Sequence, residues 1–198
     1  MESYSSTDII KAFKEKNISL FSLLDFGRLF NIGNQNTLYK KIQRLEKKGI
    51  VKKLIKGKYL FILNRVNDFS IGNFLFRPSY ISLESALSFY GIITGFPYKI
   101  TSLTTKKSRE FMIGQKEYTY SHIDQDLFWG YEKKEDFLLA EKEKALLDLL
   151  YFQTKGLRSL DWDELDLKEI DKKKLIYYGK KFNSSKMLKI LQELNYDY

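Results

Sequence analysis

One predicted helix near the amino terminus carries a face of polar and basic side chains. That face consists of Asn36, Lys40, Gln43 and Lys47. Spacings of four, three and four residues place these side chains on one side of an α-helix. Amide side chains have the donor and acceptor geometry to read base edges in the DNA major groove, and lysines bind phosphates and fix the docking position. The pattern therefore predicts a recognition helix that contacts duplex DNA.

The predicted DNA-binding set extends beyond this face. Arg44 lies just beside it and has the geometry to read a base edge. Further residues flank the face, where they are expected to contact the DNA backbone, and two lysines occupy the tip of a predicted hairpin, next to phosphates or the minor groove. The flanking residues are Thr37, Tyr39, Lys41 and Lys48, and the hairpin lysines are Lys56 and Lys58.

The opposite side of the same helix is apolar. Its stripe consists of Leu38, Ile42 and Leu45, at positions i, i+4 and i+7. The helix is expected to begin at Asn34 or Asn36 and to run to Lys48. Gly49 is expected to end it, because glycine readily adopts the left-handed conformation found after helix ends.

Two shorter helices are predicted before the recognition helix. Ser6 or Thr7 is expected to cap the first, which runs to about Lys16. Residues 19–22 offer a cap for the second, and residues 31–34 form a short turn before the third helix. The chain thus begins with a predicted three-helix unit.

A β-hairpin is predicted directly after the three helices. Residues 50–55 and 59–63 are rich in β-branched and other apolar residues, and they flank a turn at residues 56–58 that contains Gly57. Three helices followed by a hairpin are typical of a winged helix-turn-helix. The hairpin is the predicted wing.

The net charge of the chain is concentrated in this unit. Residues 1–65 hold fourteen Lys and Arg and five Asp and Glu, a net charge of +9, whereas residues 66–198 hold twenty of each. A basic patch on a three-helix unit is the electrostatic signature of a nucleic-acid-binding domain. Residues 1–65 are therefore interpreted as a winged helix-turn-helix DNA-binding domain.

A second domain is predicted over residues 74–198, after a junction at residues 64–73. Helices are expected at residues 82–90 and 141–152, with residues 138–140 leading into the latter, and near residues 162–167, 171–182 and 185–194. Strands are expected at residues 100–105, 109–113, 117–123 and 128–131, the second pairing back on the first. The chain as a whole is therefore assigned to the α+β class, with an antiparallel sheet and carboxy-terminal helices in its second domain.

The sequence offers little material for catalysis or metal binding. It has no cysteine and a single histidine, His122, and it contains no phosphate-binding loop, nucleophile elbow or zinc-protease motif. Glu143 and Asp148 are five residues apart on a predicted helix and do not share a face. No catalytic residue, metal site or cofactor is predicted, and the protein is not expected to be an enzyme. An enzyme acting on nucleotides or RNA through its second domain is the least favoured alternative.

No secretion signal or membrane-spanning segment is apparent, so a cytoplasmic location is expected. Lysines are also frequent near the carboxy terminus, where they are interpreted as the solvent-exposed faces of the last helices.

A charged helix face can be exposed to solvent without binding any ligand. A second interpretation of the first domain is therefore a winged-helix module that contacts a protein without specific DNA binding.

Several segments of the second domain resemble the AbiEi family of antitoxins, which belongs to type IV toxin–antitoxin systems that act in abortive infection. The similar segments are residues 78–87 with Gly91, residues 100–105, 118–123, 128–130 and 143–148. Lys142 departs from the family pattern, which often has proline before the Glu-Lys pair. The order and spacing of these segments, with a winged helix in front, cover most of the chain.

The resemblance implies a transcriptional autorepressor that binds inverted repeats of double-stranded DNA in its own promoter, as a monomer or weak dimer that pairs on DNA. It also implies that the second domain counteracts a nucleotidyltransferase-like toxin encoded by the adjacent gene. A stable complex between the two proteins is not required.

Overall fold

The structure is a computed structural model that describes residues 4–95, 98–159 and 161–194. The chain divides into two compact units, Met1–Leu75 and Phe76–Tyr198. Each unit combines helices with one sheet, so the expected α+β class is confirmed. Within the described ranges, no helix has both the length and the apolar content needed to cross a membrane.

The amino-terminal unit contains four helices and a three-stranded antiparallel sheet. The helices are α1 (Ser6–Glu15), α2 (Leu23–Leu29), α3 (Gln35–Lys47) and α4 (Asp68–Leu75), and the strands are β1 (Leu20–Ser22), β2 (Val51–Ile55) and β3 (Lys58–Phe61). The strand order is β1-β3-β2, so the short strand before α2 extends the predicted hairpin by one strand.

The cap of α1 differs from the expected Ser6 or Thr7. Ser5 is the capping residue: its hydroxyl accepts a hydrogen bond from the Asp8 backbone N–H (3.2 Å), and its own N–H donates to the Asp8 carboxylate (2.7 Å). Of the three adjacent hydroxyl residues, only Ser5 has an acidic residue three positions later, which the reciprocal capping box requires.

A cluster of aromatic rings forms the core of this unit. The Phe13 ring is at its centre, with centroid distances of 4.9 Å to Phe21 and 5.1 Å to Phe61. Phe26 and Phe30 of α2 complete the cluster. The predicted apolar stripe of α3 is buried in the same core, as expected.

The segment expected to be a junction, residues 64–73, contains most of α4. Four of the buried residues of this helix are Ser70, Ile71, Gly72 and Asn73, so its inner side lacks the apolar repeat by which a helix is recognised in a sequence.

The carboxy-terminal unit is built around a six-stranded sheet. Its strands are β4 (Tyr80–Ile81), β5 (Lys99–Thr104), β6 (Arg109–Ile113), β7 (Lys116–His122), β8 (Tyr131–Lys134) and β9 (Phe137–Ala140). Its helices are α5 (Leu83–Phe89), α6 (Lys142–Thr154), α7 (Lys172–Lys180) and α8 (Ser185–Leu194), with short 3₁₀ turns at Gln125–Leu127 and Trp162–Glu164.

The predicted antiparallel sheet is in fact mixed. The strand order is β6-β7-β5-β4-β9-β8, and β5 runs parallel to β7, as β4 does to β9. Strand β6 pairs with β7 and not back on β5. The reason is burial: β5 and the centre of β7 are covered on both faces and need neighbours on both sides, whereas the more exposed β6 suits an edge.

Three smaller expectations for this unit are also corrected. Residues 138–140 belong to strand β9 and do not lead directly into a helix. The strand expected at 128–131 begins only at Tyr131, and the helix expected near 162–167 is a short 3₁₀ turn. The remaining helices lie where their apolar periodicity places them.

Candidate nucleic-acid interface

Helix α3 presents its polar face to solvent because its apolar stripe is held in the core. Leu38, Ile42 and Leu45 are at most 5% exposed. The side chains predicted to contact bases and phosphates on the other side, Asn36, Lys40, Gln43 and Lys47, are all exposed. The arrangement follows from the helical repeat and brings the four predicted residues together along one ridge.

The start of α3 is fixed by two local features. The Asn34 side chain caps the helix by accepting a hydrogen bond from the Thr37 N–H (3.0 Å). Gly27 of α2 permits close packing, because a Cβ at this position would lie 3.1 Å from both Leu38 Cδ1 and the Ile32 carbonyl oxygen. The orientation of the ridge is thus determined by contacts with α2 and the turn.

One flank of α3 faces the start of α1. The Lys41 ammonium donates to the Tyr4 carbonyl, and the Lys48 ammonium donates to the Ser6 hydroxyl (2.9 Å). A cavity of about 480 Å³ lies between the two elements, and Arg44 lines it. Two of the predicted backbone-contacting residues therefore have intramolecular partners as well.

The other flank of α3 faces the hairpin. The Glu46 carboxylate accepts a hydrogen bond from the Lys53 N–H (3.3 Å), which connects α3 to β2. Tyr39 is half-buried against the core. Part of the Tyr39 side chain is therefore not available to a ligand.

The two predicted hairpin lysines differ in their surroundings. Lys56 is exposed in the turn between β2 and β3. Lys58 is half-buried in β3, and its ammonium donates to the carbonyls of Phe74 and Leu75 (3.0 Å for Leu75) while lying 4.9 Å from the Phe74 ring centroid. Lys58 thus binds the carboxy-terminal carbonyls of α4, where a cation is favoured by the helix dipole.

A second cluster of polar side chains, which sequence reasoning missed, is buried in the carboxy-terminal unit. Lys144 and Asp148 form an ion pair in α6, both without solvent exposure. The Lys144 ammonium also donates to the Tyr80 hydroxyl (3.0 Å). The Asp148 carboxylate accepts hydrogen bonds from Ser82 (2.8 Å) and from the same Tyr80 hydroxyl (3.1 Å).

Burial perturbs both members of this pair. It lowers the pKa of the Lys144 ammonium and raises the pKa of the Asp148 carboxyl, while their mutual attraction opposes both shifts. The rings of Trp129 and Phe182 lie 5.0 Å from the ammonium and close the site to water. Neither side chain of the pair is exposed to solvent.

The other side chains considered for chemistry lie apart from this pair. Glu143 faces α7, where it accepts a hydrogen bond from the Asp171 N–H (3.1 Å). His122 is exposed at the end of β7, with Nδ1 3.1 Å from the Lys106 carbonyl oxygen. In the parts of the chain that the structure describes, no group of three His, Asp or Glu side chains is arranged to hold a metal ion.

Comparison with solved structures shows a fold of known type. The chain is similar to the crystal structure of the RV2827C protein from Mycobacterium tuberculosis, with a TM-score of 0.58 and 14% sequence identity over 95% of this chain and 71% of that chain. No protein-family model matches the sequence, and no curated protein is significantly similar to it.

Proposed function

We propose that the amino-terminal unit is a winged helix-turn-helix that binds duplex DNA. Its first six elements follow in the order helix, strand, helix, helix, strand, strand, so three helices precede a hairpin as the sequence predicts. Helix α3 is the recognition helix in this proposal, and the β2–β3 hairpin is the wing. The observation that carries the proposal is the exposed ridge of Asn36, Lys40, Gln43 and Lys47 on a unit whose first 65 residues have a net charge of +9.

The dimensions of α3 suit the major groove. Its thirteen residues span about 20 Å, and a helix of roughly 10–12 Å diameter fits a groove about 12 Å wide. Asn36 and Gln43 read base edges in the proposed complex, while Lys40 and Lys47 bind phosphates. Lys56 at the hairpin turn contacts the backbone or the minor groove.

Lys58 is omitted from the proposed contacts because its ammonium is bound to the end of α4. Tyr39 contributes mainly to packing. Their positions in the sequence predict that both contact DNA, but the interactions of their side chains in the structure favour structural roles.

The resemblance to AbiEi antitoxins supports a more specific proposal. The protein acts as a repressor of its own operon in the cytoplasm, binding inverted repeats as two copies that meet on DNA. Its carboxy-terminal unit counteracts a nucleotidyltransferase-like toxin from the neighbouring gene. The closed environment of Lys144 and Asp148 is compatible with a unit that acts by binding and not by catalysis.

A second candidate function is a protein-interaction module. The observation in its favour is Leu24 of α2, which is 68% exposed although it is large and apolar. A neighbouring groove on α2, lined in part by Phe26 and Leu29, has a volume of about 360 Å³. An apolar surface of this kind suits a protein contact.

A binding measurement separates the two functions. Fluorescence anisotropy measures the affinity of the protein for two duplexes. One has the sequence directly upstream of the protein's own reading frame, and the other has the same bases in shuffled order. We expect a clear preference for the upstream duplex, which Asn36→Ala combined with Gln43→Ala reduces by roughly tenfold or more, since each good base contact contributes about 1–3 kcal/mol of discrimination.

Lys16→Ala is the control variant, because Lys16 is exposed at the end of α1, and the start of α1 is the part that contacts α3. It should leave the preference unchanged. Equal, weak binding of the wild type to both duplexes, lost at about 150 mM salt, would favour the protein-interaction module.

A further inference from the structure

The basic residues of α3 fall into two groups with different surroundings. Lys40 and Lys47 belong to the exposed ridge, and Lys47 also lines the edge of the cavity beside α1. Lys41, Arg44 and Lys48, at positions i, i+3 and i+7, form a separate row on the flank that faces the start of α1. The cavity of about 480 Å³ between α1 and α3 lies along this row, which we call the basic flank.

The two ends of the basic flank are held in place by the segment that begins α1. Lys41 is bound to the Tyr4 carbonyl, and Lys48 is bound to the Ser6 hydroxyl. The Tyr4 ring packs on Phe30 with a centroid distance of 5.1 Å, which fixes this segment to the core. Two flexible side chains are thus positioned before any ligand arrives, which reduces the entropy lost on binding.

Arg44 lies between these two lysines and differs from them. It is exposed, and its guanidinium group has neither a hydrogen-bond nor an ion-pair partner among the residues that the structure describes. A guanidinium group binds phosphate with two parallel hydrogen bonds, so an unpaired Arg between two fixed ammonium groups is well suited to a phosphodiester.

The electrostatic surroundings of the basic flank favour an anion. The described residues that line the cavity are Tyr4, Ser5, Ser6, Lys41, Arg44, Leu45, Lys47 and Lys48, and none of these carries a carboxylate. The nearby Asp8 carboxylate is bound to the Ser5 N–H and hydroxyl. The opposite flank of α3 carries Glu46, so the two sides of the helix are electrostatically unequal.

We infer that the basic flank and the start of α1 bind the phosphodiester backbone of one DNA strand beside the major groove occupied by the ridge. The inference rests on the proposed DNA-binding function and specifies which residues of the protein bind the DNA backbone. Lys41 and Lys48 are separated by about 10 Å of helix rise, enough to contact two or three successive phosphates at about 3.4 Å of axial rise per nucleotide.

Salt dependence of binding tests this inference without knowledge of the preferred sequence. The probe is a fluorescein-labelled 24-base-pair duplex of random sequence, titrated at several KCl concentrations from 50 to 200 mM. Arg44→Gln and Lys48→Gln should each reduce the slope of log affinity against log salt by about one unit. Each variant would then lose about threefold less affinity over this salt range than the wild type.

Two further variants distinguish a phosphate contact from a general effect of charge or folding. Lys16→Gln removes the same charge outside the cavity and should keep the wild-type slope. Ser6→Ala removes no charge but releases Lys48, so affinity should fall a few-fold with little change in slope. Circular dichroism melting of each variant verifies that the unit remains folded.

The outcomes are distinct. If the wild type binds the duplex and both Arg44→Gln and Lys48→Gln keep its slope, the basic flank does not hold phosphates, and the inference is wrong while DNA binding stands. If the wild type does not bind any duplex in this range, the inference and the proposed function are both wrong.

Discussion

Lys144 and Asp148 form a buried ion pair across one turn of α6, and the Tyr80 hydroxyl hydrogen-bonds to both. Both carboxylate oxygens of Asp148 have partners: Oδ1 is bound by Lys144, and Oδ2 accepts from the hydroxyls of Tyr80 and Ser82. Removal of one member of the pair is expected to lower the stability of the fold strongly, because the other charge is then buried without a counter-charge.

Replacing one member of this pair should therefore destabilise the carboxy-terminal unit strongly. Asp148→Asn is expected to lower the free energy of unfolding by about 3–5 kcal/mol, because Lys144 loses its counter-charge in a buried position. Urea unfolding followed by circular dichroism measures this. The double variant with Lys144→Met and Asp148→Leu should recover much of the loss, and an unchanged stability of Asp148→Asn would contradict a buried, paired Lys144.

The glycine before β8 should tolerate no side chain. Gly130 has a backbone φ of +71°, and a Cβ there would lie 2.9 Å from Lys144 Cγ. Gly130→Ala is therefore expected to destabilise the protein by about 1–3 kcal/mol through backbone strain and overpacking. Gly156→Ala is the matched control, because Gly156 has the same φ but open space around its Cβ. A larger loss of thermal stability for Gly156→Ala than for Gly130→Ala would be contrary to this account.

The capping box of α1 predicts a pH dependence for the amino-terminal unit. Hydrogen bonds from Ser5 lower the pKa of the Asp8 carboxyl below its ordinary value of 3.8. A lowered pKa in the folded state contributes stability above pH 3.8, and this contribution is lost as the pH falls through the folded-state pKa. Asp8→Asn should be less stable than the wild type at pH 7, and the difference should disappear towards pH 3. Urea unfolding of both proteins at each pH measures this difference. Glu15→Gln, at the exposed end of the same helix, is the control.

The two hairpin lysines should respond differently to substitution. Lys58→Met removes the cation that binds the last carbonyls of α4, so it should lower thermal stability with little effect on the salt slope of DNA binding. Lys56→Met should do the reverse, reducing the slope by about one unit while leaving stability unchanged. Anisotropy and thermal melting on both variants provide the comparison, and identical behaviour of the two would contradict the assigned roles.

The sequence predicts α3 well because its signals agree. Leu38, Ile42 and Leu45 supply the stripe, Asn34 supplies the cap and Gly49 supplies the left-handed position after the helix (φ +66°). The pairing of the strands is harder to predict. Alternation along a strand indicates which side chains are buried, but it does not indicate which strand is the neighbour or whether the two run parallel. Only the burial of β5 and β7 on both faces identifies them as central strands.

The buried pair of α6 could not be recognised from spacing alone. Lys144 and Asp148 are four residues apart, a spacing that in most helices belongs to an exposed surface pair. Every residue from Glu143 to Phe152 is buried, so the helix has no polar face by which to judge the charged ones. The Tyr80 and Ser82 partners come from a segment more than sixty residues away, and nothing local to α6 indicates them.

The two edge strands of the six-stranded sheet affect how readily the protein aggregates. Strand β8 has only four residues, three of them charged, and β6 begins with Arg109 and Glu110. Charged and short outer strands discourage the stacking of copies into aggregates through unpaired backbone groups. The protein should therefore resist aggregation at high concentration.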